Sequence, residues 1–373
     1  MVMSPPVQYW DLGIGPISCH AWNKDRTKIA VSPNNSEVHI FEWRNGKWTF
    51  SDLLAEHDLP VTGIDWAPNT NRIVTCSQDK NAFVWTYTEN QWKPELVLIR
   101  INRAATCVKW SPQENKFAVG SGARLVSVCY YESENDWWIA KQFKKSIFST
   151  VLCIDWHPNN VLIAVGACDF KTRVFSAYVK EVDQAPAPTP WGTKMKFGEL
   201  VSEYSSGGGG WVHCVRFSPS GCRLAVVGHD SSVSVCDAQD SDSMKTIKDW
   251  YLPFNAIEWA TENSIIAAGH DCCPMLFSYD GKSVKFVSKL DVPSEQKTSK
   301  FTAMDKFRNM DKVAATAVDT NLKTLHQNQI TSISQHSGSR GTLTKFTTTG
   351  MDGLLVLWDL KALEAKVDSI CVS

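Results

Sequence analysis

The chain has 373 residues, 43 % apolar and 21 % charged, a balance that excludes a disordered protein. Its formal net charge of −1 excludes the dense basic surface that sequence-independent nucleic-acid binding needs. No run reaches the ~18 apolar residues of a membrane helix, and Met1-Val-Met-Ser-Pro-Pro6 has neither the basic nor the apolar stretch of a signal peptide, so a cytosolic or nuclear compartment and no membrane insertion are expected.

Taken in chain order, a short strand with an aromatic end recurs: Ile17-Ser-Cys-His-Ala-Trp22, Val61-Thr-Gly-Ile-Asp-Trp66, Ala105-Thr-Cys-Val-Lys-Trp110, Val151-Leu-Cys-Ile-Asp-Trp156, Val212-His-Cys-Val-Arg-Phe217 and Phe254-Asn-Ala-Ile-Glu-Trp259. A weaker seventh copy is Ile330-Thr-Ser-Ile-Ser-Gln335. The end positions lie 44, 44, 46, 61, 42 and 76 residues apart. Four steps match the period of ~40–45 residues that a propeller blade occupies, and the two long ones mark insertions after repeats four and six.

Each copy continues in the same way. A Pro- or Asn-bearing turn such as Ala67-Pro-Asn69 or His157-Pro-Asn-Asn160 reverses the chain. A second apolar strand follows, then a turn with Asp, then a third strand ending in an aromatic, as in Ala82-Phe-Val-Trp85. Asp79, Asp169 and Asp230 each stand 13 residues after their anchor and Asp271 stands 12 after its own. Asp352 stands 17 after Gln335, which predicts a longer first turn in repeat seven. Such strands are too short to be stable alone. Packed face to face around an axis, they form a seven-bladed β-propeller, an all-β single domain spanning 1–373. Burial on both faces accounts for strands that read as continuous apolar runs. The segment around Val7-Gln-Tyr-Trp-Asp-Leu12 is left over and is expected to supply the outer strand of the last blade.

Three sets of residues resemble catalytic or metal sites. His57, Ser77, Asp79 and Trp85 include the residue types of a hydrolase triad, but no nucleophile elbow or oxyanion loop accompanies the serine. Their positions fit the structural hydrogen-bond network of WD repeats, with Ser77 as its hydroxyl, and a satisfied buried network specifies a fold. His326 precedes Ile330 as His57 precedes Val61, so repeat seven is expected to hold a partial version. Gly120-Ser-Gly-Ala-Arg124 lacks the Lys-Ser/Thr and helix of a phosphate loop. His270-Asp-Cys-Cys273 offers metal-ligand types, yet its His and Asp occupy repeat-turn positions. None of the 12 cysteines forms a CxxC pair, and many lie in apolar runs, so free core thiols are expected. No catalytic residue, metal or cofactor is assigned.

The first insertion, 177–210, holds Ala185-Pro-Ala-Pro-Thr-Pro190, Trp191 and Ser205-Ser-Gly-Gly-Gly-Gly210. Its Trp191 and Phe197 could anchor it on the propeller or on a partner. The second, 288–328, contains Thr302-Ala-Met-Asp305, which reads as a capping box opening a short amphipathic helix at about 303–315. Helical geometry gathers Ala303, Met304, Phe307, Met310 and Ala314 on one face. That stripe docks either on its own propeller or in a groove on a partner.

The chain resembles a family, the WD-repeat subunit of the actin-related protein 2/3 complex. The resemblance covers essentially the whole chain. It rests most on Glu134-Asn-Asp-Trp-Trp138, Asp155-Trp-His-Pro-Asn-Asn160, Cys168-Asp-Phe-Lys171, Thr189-Pro-Trp-Gly192 and Arg308-Asn-Met-Asp-Lys312, the last two in insertions where general propellers share nothing. It implies a non-enzymatic, actin-binding scaffold that supports nucleation of branched filaments. The implied partners are actin-related proteins 2 and 3, the smaller subunits, and the mother actin filament. It implies filament contact through Phe301, Met304, Phe307, Arg308 and Met310, links to acidic tails of nucleation-promoting factors, and a place in the cytoplasm at the cell cortex and leading edge, with the nucleus as a further site. The repeats alone leave open a generic adaptor in another assembly, such as a ubiquitin ligase or chromatin complex.

Overall fold

The computed structural model describes residues 7–193, 195–205, 209–291 and 322–364. They form seven four-stranded antiparallel sheets, a seven-bladed WD-repeat β-propeller. In six blades the strands pair in chain order, starting from the first strands Cys19–Trp22, Val61–Trp66, Ala105–Trp110, Val151–Trp156, Val212–Phe217 and Phe254–Trp259. Each first strand packs on that of the next blade, and Ile330–Ser339 of blade seven returns to Cys19–Trp22 of blade one. The only helix among the described residues is the five-residue Leu360–Glu364.

The core lies between blades. One apolar cluster joins Ala21, Ala30, Val38 and Ile40 of blade one to Ile64, Trp66, Ile73 and Trp85 of blade two, and similar clusters fill the other joints. Burying each large side chain stabilises the fold by about 1.5–3 kcal/mol, so no blade is stable without its neighbours. The joints also set the glycines: a Cβ on Gly120 would meet Cys107 Sγ and Val151 Cγ1 at 2.6 Å, so the Gly-Ser-Gly run is a packing feature.

Polar latches tie the inner strands in series. Thr62 Oγ1 donates to Ala105 O at 2.9 Å, Thr106 Oγ1 to Val151 O at 2.6 Å, and Asn255 Nδ2 to Ile330 O at 3.1 Å. Thr331 Oγ1 donates to Ile17 O at 2.7 Å, which carries the series across the joint between the chain's ends. The N-terminal strand Val7–Asp11 pairs with Leu354–Asp359 and completes blade seven, in the place the leftover segment predicts.

Two expectations need correction. The extra residues of repeat seven do not lengthen a turn. They extend the strands Ile330–Ser339 and Thr342–Gly350, which are joined by Arg340 and Gly341 alone and carry irregularities at Gln335 and Ser337. The first insertion is shorter than 177–210, because Leu200–Ser205 is the fourth strand of blade four, paired with Lys171–Ser176. The added residues are therefore 177–199. Trp191 settles their anchoring: it is buried, its Nε1 donates to Gly221 O at 2.7 Å, and it packs edge-on against Phe217. Phe197 packs on Phe143. Asp183, which the sequence reading passed over, is paired with the fully buried Lys116 and accepts from Asn160 Nδ2 at 3.0 Å. The helix expected at 303–315, with Phe301, Met304, Phe307, Arg308 and Met310, lies outside the described residues.

Candidate functional site

The Ser-His-Asp set of blade two resolves into a closed hydrogen-bond network. His57 Nδ1 lies 2.8 Å from Asp79 Oδ2, and His57 Nε2 lies 2.8 Å from Thr75 Oγ1. Trp85 Nε1 donates to the same Thr75 hydroxyl at 3.0 Å. Thr75, not the expected Ser77, is thus the hydroxyl between histidine and indole. Ser77 Oγ instead donates to Leu59 O at 2.6 Å and accepts from Asp79 N at 3.2 Å. Neither hydroxyl is exposed, and Ser77 has no contact with the imidazole, so the set offers no nucleophile. Burial lowers the His57 pKa, against the opposing pull of Asp79.

Blade seven repeats this network in full rather than in part. His326 Nδ1 lies 2.9 Å from Asp352 Oδ2, His326 Nε2 lies 2.8 Å from Thr348 Oγ1, and Trp358 Nε1 donates to Thr348 Oγ1 at 2.8 Å. Burial would raise the Asp352 pKa, but the His326 hydrogen bond and charge prevail and lower it. A signal for the hydroxyl was available. In both repeats a Thr stands four residues before the Asp and a Trp six after it, whereas the position of Ser77 is Gly350 in blade seven.

In the His270-Asp-Cys-Cys273 turn, Asp271 Oδ2 accepts from Leu252 N at 2.8 Å, and burial pushes the Cys273 thiol up to about 12. No metal-holding group of three or more His, Cys, Asp or Glu occurs among the described residues.

What the blades leave exposed is a surface. In an up-and-down sheet, the turns between second and third strands and the links from each fourth strand to the next blade share one end. At that end Phe148, Phe170, Trp211, Trp250 and Leu252 are exposed over blades four to six. They are held, not loose. Phe148 N donates to Asp169 Oδ2 at 3.3 Å, and the Arg173 guanidinium lies 5.6 Å from its ring. Trp211 packs on His229, and Lys289 Nζ stands 4.6 Å from the Trp250 ring. Exposed aromatics grouped on one face are a common mark of a protein-binding surface. Asp291 and Leu322, the described flanks of the second insertion, belong to the link from blade six to blade seven at this same end.

Comparison with known proteins places the chain. A family model described as WD domain, G-beta repeat matches residues 48–86, 142–176 and 198–237. The first two begin within the fourth strand of one blade, the last just before one, and all three end in the third strand of the next blade, so the sequence repeat is offset from the blade. That offset leaves one outer strand to be supplied by the N-terminus. Actin-related protein 2/3 complex subunit 1A-A of Xenopus laevis is 58 % identical over 95 % of this chain and 97 % of its own length. Subunit 1 of Schizosaccharomyces pombe is 43 % identical over 91 % of this chain and 96 % of its own length. Subunit 1B of Arabidopsis thaliana is 38 % identical over 94 % and 96 %. With relatives this similar along nearly its full length, the chain belongs to the family of subunit 1 of the actin-related protein 2/3 complex.

Proposed function

We propose that this chain is the non-enzymatic WD-repeat scaffold of an actin-related protein 2/3 complex and supports nucleation of branched actin filaments from a mother filament. The observation that carries this reading is the identity of 58 % across 95 % of the chain. Its partners are actin-related proteins 2 and 3 and the smaller subunits, in the cytoplasm at the actin-rich cortex and leading edge, with the nucleus as a further site. The 288–328 insertion reaches the filament through Phe301, Met304, Phe307, Arg308 and Met310. In support, its flanks leave the propeller at the end where Trp211 and Trp250 are exposed. Lys289 beside the exposed Trp250 ring at that end suits the acidic tails of nucleation-promoting factors.

The test is to purify the chain from its own cells and assay branching. Actin-related proteins and small subunits should accompany it, and their absence overturns the scaffold reading. Phe307→Ala should leave assembly intact and lower branch density about fivefold, the effect of losing a contact of ~1 kcal/mol. Unchanged branching, or loss of assembly, removes the filament role from Phe307.

A further inference from the structure

The end of the central channel opposite the aromatic face holds a polar cavity of about 410 Å³. The residues just before the strand-end anchors form a belt around it: Asp65, Lys109, Asp155, Arg216 and Glu258 alternate in sign from blade two to blade six. Arg216 lies 3.8 Å from Asp155 and 3.4 Å from Glu258, and Lys109 lies 3.9 Å from Asp155. The carboxylates are also hydrogen-bonded: Trp110 N donates to Asp65 at 2.7 Å and Phe217 N to Asp155 at 2.8 Å. With three acids and two bases, the belt nearly balances its own charge.

Two more guanidiniums line the same cavity and have no carboxylate partner among the described residues. Arg26, in the first turn of blade one, donates from Nε to His336 O at 2.9 Å and from Nη1 to Asn23 O at 2.8 Å. Arg340 sits at the tip of the long blade-seven hairpin and donates from Nη2 to Phe217 O at 3.4 Å. That hairpin leans across the channel mouth. Leu343 N donates to Ala260 O of blade six at 3.0 Å, and Gly341 lies against Pro219 of blade five. The extra length of repeat seven therefore brings Arg340 over the cavity, and blade one supplies Arg26 across the mouth.

A guanidinium stays charged at any physiological pH and presents a planar fork that fits phosphate oxygens. Two such forks over a polar cavity of small-ligand size, each satisfied only by carbonyls, call for a dianion. The belt beneath pairs its two bases with its own carboxylates, so it adds no free cation for a long polyanion threading the channel, and the cationic groups left at the mouth suit a compact anion. We propose that the channel mouth binds a small phosphate monoester between Arg26 and Arg340. This site is independent of the reading given under Proposed function.

The test is titration of the purified full-length chain with glycerol 2-phosphate, followed by ³¹P NMR and by thermal shift at constant ionic strength. Saturable binding that raises Tm is expected, with inorganic phosphate competing and succinate at least tenfold weaker. Arg340→Gln and Arg26→Gln should each weaken binding about tenfold or more. Arg340→Lys, which keeps charge but loses the fork, should fall between. Lys93→Gln, an exposed cation on the outer strand of blade two, should have no effect. Arg340 is exposed, so its variants keep the fold, checked by circular dichroism. Three results overturn the proposal: no saturable binding, binding retained by the Arg26→Gln/Arg340→Gln double variant, or succinate binding as tightly as the phosphate ester.

Discussion

Blade two and blade seven carry the same His-Thr-Asp-Trp network in opposite chain contexts. Blade two is built from residues 61–97, one continuous stretch. Blade seven is built from both ends of the chain, Val7–Asp11 and Ile330–Asp359, with the long link from Asp291 before it. The bond lengths nevertheless agree closely: histidine to threonine is 2.8 Å in both, and indole to threonine 3.0 and 2.8 Å. The network is thus a property of local spacing, since Thr, Asp and Trp all come from one hairpin. Closure of the ring is not local. It rests on the pairing of Val7–Asp11 and on the Thr331 latch to Ile17.

The largest effect that can break this comparison comes from the indoles. Trp358→Ala and Trp85→Ala each remove a buried ring and should cost about 3–5 kcal/mol in denaturant unfolding. Trp358→Ala should in addition expose Val7–Asp11 to proteolysis, because that strand pairs with the strand holding Trp358. If Trp85→Ala frees the N-terminus as readily, closure is not specific to blade seven.

A smaller effect separates the two hydroxyls of blade two. Thr75→Val leaves an indole N–H and an imidazole nitrogen unpaired in the core and should cost about 1–3 kcal/mol, with Thr348→Val matching it in blade seven. Ser77→Ala should cost less, since blade seven builds the same network with Gly350 at that position. A larger loss for Ser77→Ala than for Thr75→Val would reverse the assignment.

The smallest effect is in the pH dependence near neutrality. Burial lowers the pKa of His20 to about 3 and of His336 to about 4, and both stand at the joint of blades seven and one. His57 of blade two is lowered too, again by burial. A histidine held neutral in the fold takes up protons only on unfolding, so its contribution is complete above the unfolded value near 6.5 and is lost as pH falls toward the folded value. Tm should therefore decline from pH 6.5 downward, and His20→Gln should flatten part of that slope. A Tm unchanged between pH 7 and 5 would contradict this.

Much was legible in the sequence because a blade is a short-range object. The aromatic-ended strands, the phased Asp and the leftover Val7–Leu12 segment led to seven sheets and to the strand that closes them. The false triad was also dissolved at that level, although its hydroxyl was misplaced by two residues. Strand direction explains the error: Ser77 and Thr75 point to the same side of one strand, the position of the His57 ring chooses between them, and the one sequence signal that separates them is the Thr348 and Gly350 of blade seven.

The amino-acid sequence by itself determined the number of blades, their order and the place of both insertions, since each follows from residue spacing within some forty positions. The tertiary structure alone decided what faces what. It buried Trp191 against blade five, paired Lys116 with Asp183, and leaned the blade-seven hairpin across the channel so that Arg340 stands over the cavity that Arg26 also lines. These contacts join residues far apart in the chain, and their energy comes from desolvation and charge pairing that exist only once the ring has closed.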